Sequence, residues 1–144
     1  MKHSSKSHDI KIKVCGMKYA ANMEAVANIG PDYLGFIFWE PSKRFFTGDM
    51  GTLPTAIKRV GVFVDASVEE IIQNASEFNL QAIQLHGKES PSFCKELKDS
   101  HTIQQGSNLE IIKVFSIKDD FDFSILTDYE AVCDYFLFDT KGKL

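Results

Sequence analysis

The chain has little of what marks several large functional classes. Its three cysteines, Cys15, Cys94 and Cys133, are odd in number and form no Cys-x-x-Cys pair, so they offer neither a disulfide framework nor a zinc-ligand spacing. Such a thiol set fits a reducing cytoplasm. There is no sustained basic run: 16 lysines and arginines stand against 20 aspartates and glutamates, for a formal net charge of −4. Nucleic acid is therefore not an expected partner. Long apolar runs are also missing. The longest, Tyr33 to Trp39, is far short of the roughly 20 residues that a bilayer span requires, so no membrane partner is expected. The opening MKHSSKSHD is polar with no apolar stretch behind its charges, which reads as a disordered leader or tag remnant over residues 1–9 rather than a signal peptide.

What remains is ordinary globular composition, 44% hydrophobic and 25% charged over 144 residues. That is one domain's worth of chain, able to bury roughly two-thirds of its unfolded surface. Strand patterns recur with helix patterns between them. Ile10–Cys15 reads as a strand, then Tyr19–Ile29 as a helix stopped by Gly30-Pro31. Tyr33–Trp39 is a strand apolar enough to be covered on both faces. The glycines and proline between Thr47 and Pro54 predict a loop or only a short helix next. Arg59–Asp65 is a third strand, and Ser67-x-x-Glu70 a capping box opening a helix through Phe78. Ala82–His86 is a fourth strand, followed by a helix with Ser90 as cap and Pro91 in its first turn. Glu110–Phe115 is a fifth strand, Asp120–Tyr129 a helix, and Tyr135–Asp139 a sixth strand. Strand starts about 20 to 30 residues apart predict βα units in a parallel α/β arrangement.

Strand parity then predicts where side chains point. Ile10, Ile12 and Val14 share one face of the first strand, expected against helices, and Lys11, Lys13 and Cys15 share the other. Gln84 and His86 share a face of the fourth strand, Lys113 and Phe115 a face of the fifth, and Asp139 aligns with Leu137 and Tyr135 on the sixth. Several polar groups aimed at one interior are costly unless they pair, so a pocket or polar network is expected. Cys15 stands at a strand end before a glycine turn, with Lys13 beside it to favour the thiolate, and so offers a candidate base. Cys94 and Cys133, on helix-like stretches, read as small buried hydrophobes, which is the ordinary fate of a free cysteine. Lys13 fits equally a structural lysine in a barrel floor. Asp139, at the other end of the chain, is a candidate acid if apolar neighbours raise its pKa; turn formation is the commoner role for an aspartate after a strand. Taken alone, Arg44 reads as a solvated loop charge.

The segments KVCGM (Lys13–Met17), GFIFWEPSKRF (Gly35–Phe45), RVGVFVD (Arg59–Asp65), QLHGKE (Gln84–Glu89) and FDTKG (Phe138–Gly142) lie at the strand ends of the whole chain. In that order and spacing the set resembles the phosphoribosylanthranilate isomerase family. The resemblance implies a parallel (β/α)8 TIM barrel. It also implies an Amadori rearrangement of N-(5-phosphoribosyl)anthranilate to 1-(2-carboxyphenylamino)-1-deoxyribulose 5-phosphate in tryptophan biosynthesis, by general acid-base catalysis and with no cofactor. By motif, Cys15 is the base, Asp139 the acid and Arg44 the clamp on the anthranilate carboxylate, for which a planar bidentate donor is suited. Lys13, Gln84 and His86 become supporting residues. A sugar-phosphate isomerase of histidine biosynthesis fits less well, because an aspartate is expected where Cys15 stands.

A complete barrel needs at least about 200 residues. About six of the eight βα units are accounted for, as a partial barrel over residues 10–144, and no glycine-rich phosphate loop is among them. The open edges of the first and sixth strands favour self-association. The expectation for residues 1–144 by themselves is an inactive, associating polypeptide. The alternative to an isomerase is a fragment that acts only as an interaction module.

Overall fold

The computed structural model describes residues 10–140; the leader expected over residues 1–9, and Gly142 of the last motif, lie outside them. The elements alternate as expected: β1 (Lys13–Val14), α1 (Ala20–Ile29), β2 (Tyr33–Ile37), β3 (Lys58–Phe63), α2 (Val68–Glu77), β4 (Ala82–Leu85), α3 (Pro91–Gln105), β5 (Glu110–Ile117), a 3₁₀ helix (Phe123–Tyr129) and β6 (Tyr135–Thr140). The six strands pair in sequence order, each parallel to the next, and form a curled half-barrel, a partial (β/α)8 architecture.

Local chemistry explains the helix boundaries. Ser67 accepts the Glu70 amide at the start of α2 and Ser90 accepts the Phe93 amide at the start of α3, where Pro91 needs no partner for its nitrogen. Gly30 ends α1 in the left-handed conformation, at φ 80°. No helix lies between β2 and β3, as the glycines and proline there predict.

The sheet divides two cores. On its helix side Leu34, Phe36, Phe63, Ile83, Leu85 and Ile111 pack with Met23, Ile71, Ile72 and Leu97 from the helices. On the concave side Tyr33, Val60, Ala82 and Ile112 form a smaller cluster with Leu137. Burial on both faces is why β2 to β5 read as near-continuous apolar runs.

Three expectations need correcting. Ile10 and Ile12 do not pack on helices; they are exposed, and β1 is confined to Lys13–Val14, with only Val14 reaching the helix-side core. The Asp120–Tyr129 helix is a shorter 3₁₀ helix, opened by Asp122, whose carboxyl accepts the Ser124 amide and is held below the usual carboxylate range by Ser124. Lys113 does not join the concave interior. Its partners in register are Leu85 and Phe136, and Leu85 belongs to the helix-side core.

Candidate active site

In a parallel sheet every strand delivers its carboxyl end to the same rim. That rim carries Cys15 after β1, Arg44 beyond β2, Asp65 beyond β3, His86 after β4 and Asp139 in β6. Register confirms the faces: Lys13 pairs with Tyr33, Val62 with Gln84, Gln84 with Ile112, and Ser116 with Asp139, all on the concave side.

At the β1 end, a glycine creates the site. A Cβ on Gly35 would lie 2.8 Å from the Cys15 Sγ and 3.2 Å from the Lys13 Nζ, so the thiol and the ammonium converge on space that only a missing side chain leaves open. The Gly35 carbonyl accepts the amides of Gly16 and Met17, at 3.0 Å each, fixing the turn that carries Cys15. Arg44 reaches the same turn. Its side chain lies over Gly16 and its Nη1 donates to the Cys15 carbonyl at 3.4 Å. The Arg44 backbone is placed by the bridge between Ile37 and Phe45 and by an amide hydrogen bond to Ser42 Oγ. Even without a helix in this segment, the arginine stands beside the candidate base.

At the β6 end the His86 Nε2 faces the Asp139 Oδ2 at 3.5 Å. The apolar enclosure expected of Asp139 is not there among the described residues: 48% of its side chain is open, because Phe138 points to the opposite face and β6 is paired only to β5. Gln84, below His86 on the concave face, is buried, and its Oε1 has no hydrogen-bond partner among the described residues. No hydrogen bond joins Cys15 to Asp139 among the described residues, so candidate base and candidate acid remain on separate sides of the concave face.

The barrel floor, at the amino ends of the strands, uses other lysines than Lys13. Lys58 pairs with Glu110, which also accepts the Tyr33 hydroxyl at 2.8 Å, and the Lys11 Nζ lies 5.9 Å from the ring centres of both Tyr33 and Tyr135. Cys94 is fully buried, as expected. Cys133 is half-buried just after the 3₁₀ helix rather than in a helix, and its thiol is pushed up by hydrogen bonding with Cys94 and by burial. Motif and parity give no role to Glu89 or Gly35; an acidic residue directly before the helix cap Ser90, and a glycine inside an apolar strand, are the sequence signals that mark them.

Comparisons with known proteins bear on the family and the fold. The profile of the family "N-(5'phosphoribosyl)anthranilate (PRA) isomerase" matches residues 12–143. An N-(5'-phosphoribosyl)anthranilate isomerase of Phocaeicola vulgatus is 46% identical over 129 residues, covering 90% of this chain and 60% of that one. The protein of the same name from Parabacteroides distasonis is 42% identical over 136 residues, covering 90% and 58%. The chain thus spans about 60% of the length of the curated relatives it matches. Among solved structures, the phosphoribosyl anthranilate isomerase of Thermus thermophilus superposes with a TM-score of 0.77 at 26% identity, covering 92% of this chain and 64% of that one. That of Thermotoga maritima gives 0.76 at 29% identity, covering 93% and 63%. The family match runs across nearly the whole described half-barrel, a relative is 46% identical, and the chain belongs to the N-(5'-phosphoribosyl)anthranilate isomerase family.

Proposed function

We propose that this chain carries the acid-base side of an active site for the Amadori rearrangement of N-(5-phosphoribosyl)anthranilate, with the small phosphosugar as its partner and the cytoplasm as its compartment. The observation that carries the reading is the convergence of Cys15, Lys13 and Arg44 on one turn, on the same rim as the His86–Asp139 pair.

The chemistry consists of proton transfers on one sugar. Asp139, which faces the His86 imidazole, delivers a proton to the ring oxygen. The C1′–O bond breaks as the anthranilate nitrogen forms an iminium with C1′. The Cys15 thiolate then removes the C2′ proton, and the electrons left behind form a C1′=C2′ bond while the iminium collapses to an amine. Protonation at C1′, with loss of the proton from the C2′ hydroxyl as its C=O forms, gives the aminoketose. Lys13 brings its ammonium to the same space as the Cys15 thiol, and His86 is near enough to Asp139 to exchange a proton with it. Arg44 holds the anthranilate carboxylate, and Gln84 lines the concave side.

The test supplies N-(5-phosphoribosyl)anthranilate to the intact polypeptide and follows loss of its anthranilate fluorescence together with formation of the ketose. Wild-type turnover in both Cys15→Ser and Asp139→Asn would overturn the assignment. One observation favours self-association as a second reading: Phe123, Ile125 and Phe138 are exposed beside the β6 edge. Sedimentation of the purified protein over a range of concentrations tests it.

A further inference from the structure

Glu89 and Lys113 form a buried ion pair behind the rim, on the helix side of the sheet, where the proposed reaction gives them no part. Their side chains are 2% and 4% exposed and lie 3.2 Å apart. Burying two charges is costly unless every lone pair and proton is used. Here they are used on backbone. The Glu89 carboxylate accepts the Asp65 amide at 2.9 Å through Oε2 and the Gly87 amide at 2.8 Å through Oε1. The Lys113 Nζ donates to the Gly87 carbonyl at 2.8 Å, to the Val114 carbonyl at 3.2 Å and to the Leu85 carbonyl at 3.4 Å.

The Gly87 residue is therefore held at its N–H by the anion and at its C=O by the cation. It directly follows His86, whose own amide is held by the Phe63 carbonyl at 2.9 Å. A side chain on Gly87 would collide with the Asp65 carboxylate, and that carboxylate accepts the Lys88 amide at 2.6 Å. Asp65 itself sits at φ 51°, a left-handed conformation that needs support in a non-glycine residue. The 3₁₀ segment closes the arrangement, since the Tyr129 hydroxyl donates to the Glu89 carbonyl at 2.8 Å.

We infer that Glu89 and Lys113 are positioning residues: a buried charge pair that locks the loops after β3 and β4 together and thereby sets where His86 meets Asp139. The inference rests on the proposed reaction for its consequence in turnover, but its geometry stands apart from it. A carboxylate offers two acceptor oxygens and an amide only one. Glu89→Gln therefore keeps the shape while releasing one of the two loop amides.

The experiment uses the intact polypeptide in four variants: Glu89→Gln, Lys113→Met, the two combined, and Leu97→Ala in the α3 core as a stability control. Displacing a positioned group costs turnover more than affinity, so Glu89→Gln should lower kcat about tenfold with KM within about twofold. The combined variant, which removes both charges, should regain melting temperature over Lys113→Met without regaining kcat. Leu97→Ala should lose stability with kcat unchanged. Recovery of kcat together with melting temperature, or an equal fall of kcat in Leu97→Ala, would reduce the pair to fold stability and overturn the inference. If residues 1–144 turn over no substrate, as is expected of them by themselves, amide exchange with His86 ring resonances decides this inference alone. Faster exchange at Asp65 and Gly87 and shifted His86 signals in Glu89→Gln would uphold it; exchange and signals like those of the wild type would overturn it.

Discussion

The middle of the sheet and its two flanks are built to different rules. In β3 to β5, Val60, Ala82, Ile83, Leu85 and Ile111 are completely buried, and Lys113 of β5 is sealed with Glu89 of the loop after β4 in a hydrogen-bonded pair. On the flanks, Ile12 is 59% exposed before β1 and Phe138 is 49% exposed in β6. Yet Cys15 stands on one flank and Asp139 on the other. The middle is sealed and the flanks are open, with the candidate base beside one outer strand of the described sheet and the candidate acid in the other. Substitutions in the apolar middle should therefore act on stability, those on the flanks on turnover, and those in the Glu89–Lys113 pair, which holds the loops behind the rim, on both.

The largest break in that contrast is Lys113→Met, which leaves the Glu89 carboxylate buried and unpaired. The expected cost is about 3–5 kcal/mol of unfolding free energy, read as a fall in the urea midpoint. A loss below about 1 kcal/mol would mean that solvent reaches Glu89 and that the middle is not sealed. Cys15→Ser and Asp139→Asn sharpen the contrast from the other side. Each should lower kcat at least about a hundredfold, since serine is a far weaker base and asparagine has no proton to give, with the urea midpoint close to wild type. If the high-pH limb of the wild-type rate profile survives unaltered in Asp139→Asn, Asp139 is not the acid.

How far the chain could be read before its structure follows the same division. The βα alternation was legible because β2 to β5 are buried on both faces and so carry unbroken apolar runs, while serine caps mark α2 and α3. The placement of Cys15 and Asp139 on the common rim was legible too, because each follows an apolar stretch at the carboxyl end of its strand. Lys113 was not. Parity says that it shares a face with Phe115 but not which face, and a strand buried on both sides gives no polar side to decide it. Ile10 and Ile12 misled for a related reason: apolar alternation predicts burial, but burial needs a partner element, and β1 is the outer strand on its side of the described sheet. The aromatics Phe121, Phe123 and Tyr129 pack around Phe115 and Phe138 from a 3₁₀ segment, an arrangement for which spacing at helical period is no guide.

Arg44 tests whether a flank residue acts on binding rather than on chemistry. A carboxylate clamp grips substrate before and during reaction, so Arg44→Ala should raise KM about tenfold and lower kcat less. A substrate analogue without the anthranilate carboxylate should be penalised in wild type and not in Arg44→Ala. Equal sensitivity of both proteins to the missing carboxylate would leave Arg44 as a support for the Cys15 turn, through its hydrogen bond to the Cys15 carbonyl.

The smallest effect concerns the floor, where middle and flank meet in Tyr33 and Tyr135. Burial, and then the Tyr135 hydroxyl beside it, push Tyr33 up from 10.0 to about 12. Tyr135 moves down instead, through hydrogen bonds with Tyr33 first and Lys11 second. The two shifts have opposite consequences for stability. A lowered pKa means that the folded state releases its proton first, so Tyr135 adds stability as pH rises toward 10.0. A raised pKa means that the folded state keeps its proton longer, so the contribution of Tyr33 is complete below pH 10.0 and is lost as pH climbs from there to about 12. Because Tyr135 is partly exposed, solvent screens its share. The expected profile is a shallow rise and then a fall of about 1 kcal/mol or less relative to the variants lacking each hydroxyl. Urea midpoints across this range should lose the fall and most of the rise in Tyr33→Phe, and lose the rise but keep most of the fall, which burial causes, in Tyr135→Phe. Identical profiles in all three proteins would show that the two hydroxyls do not couple the flank to the middle.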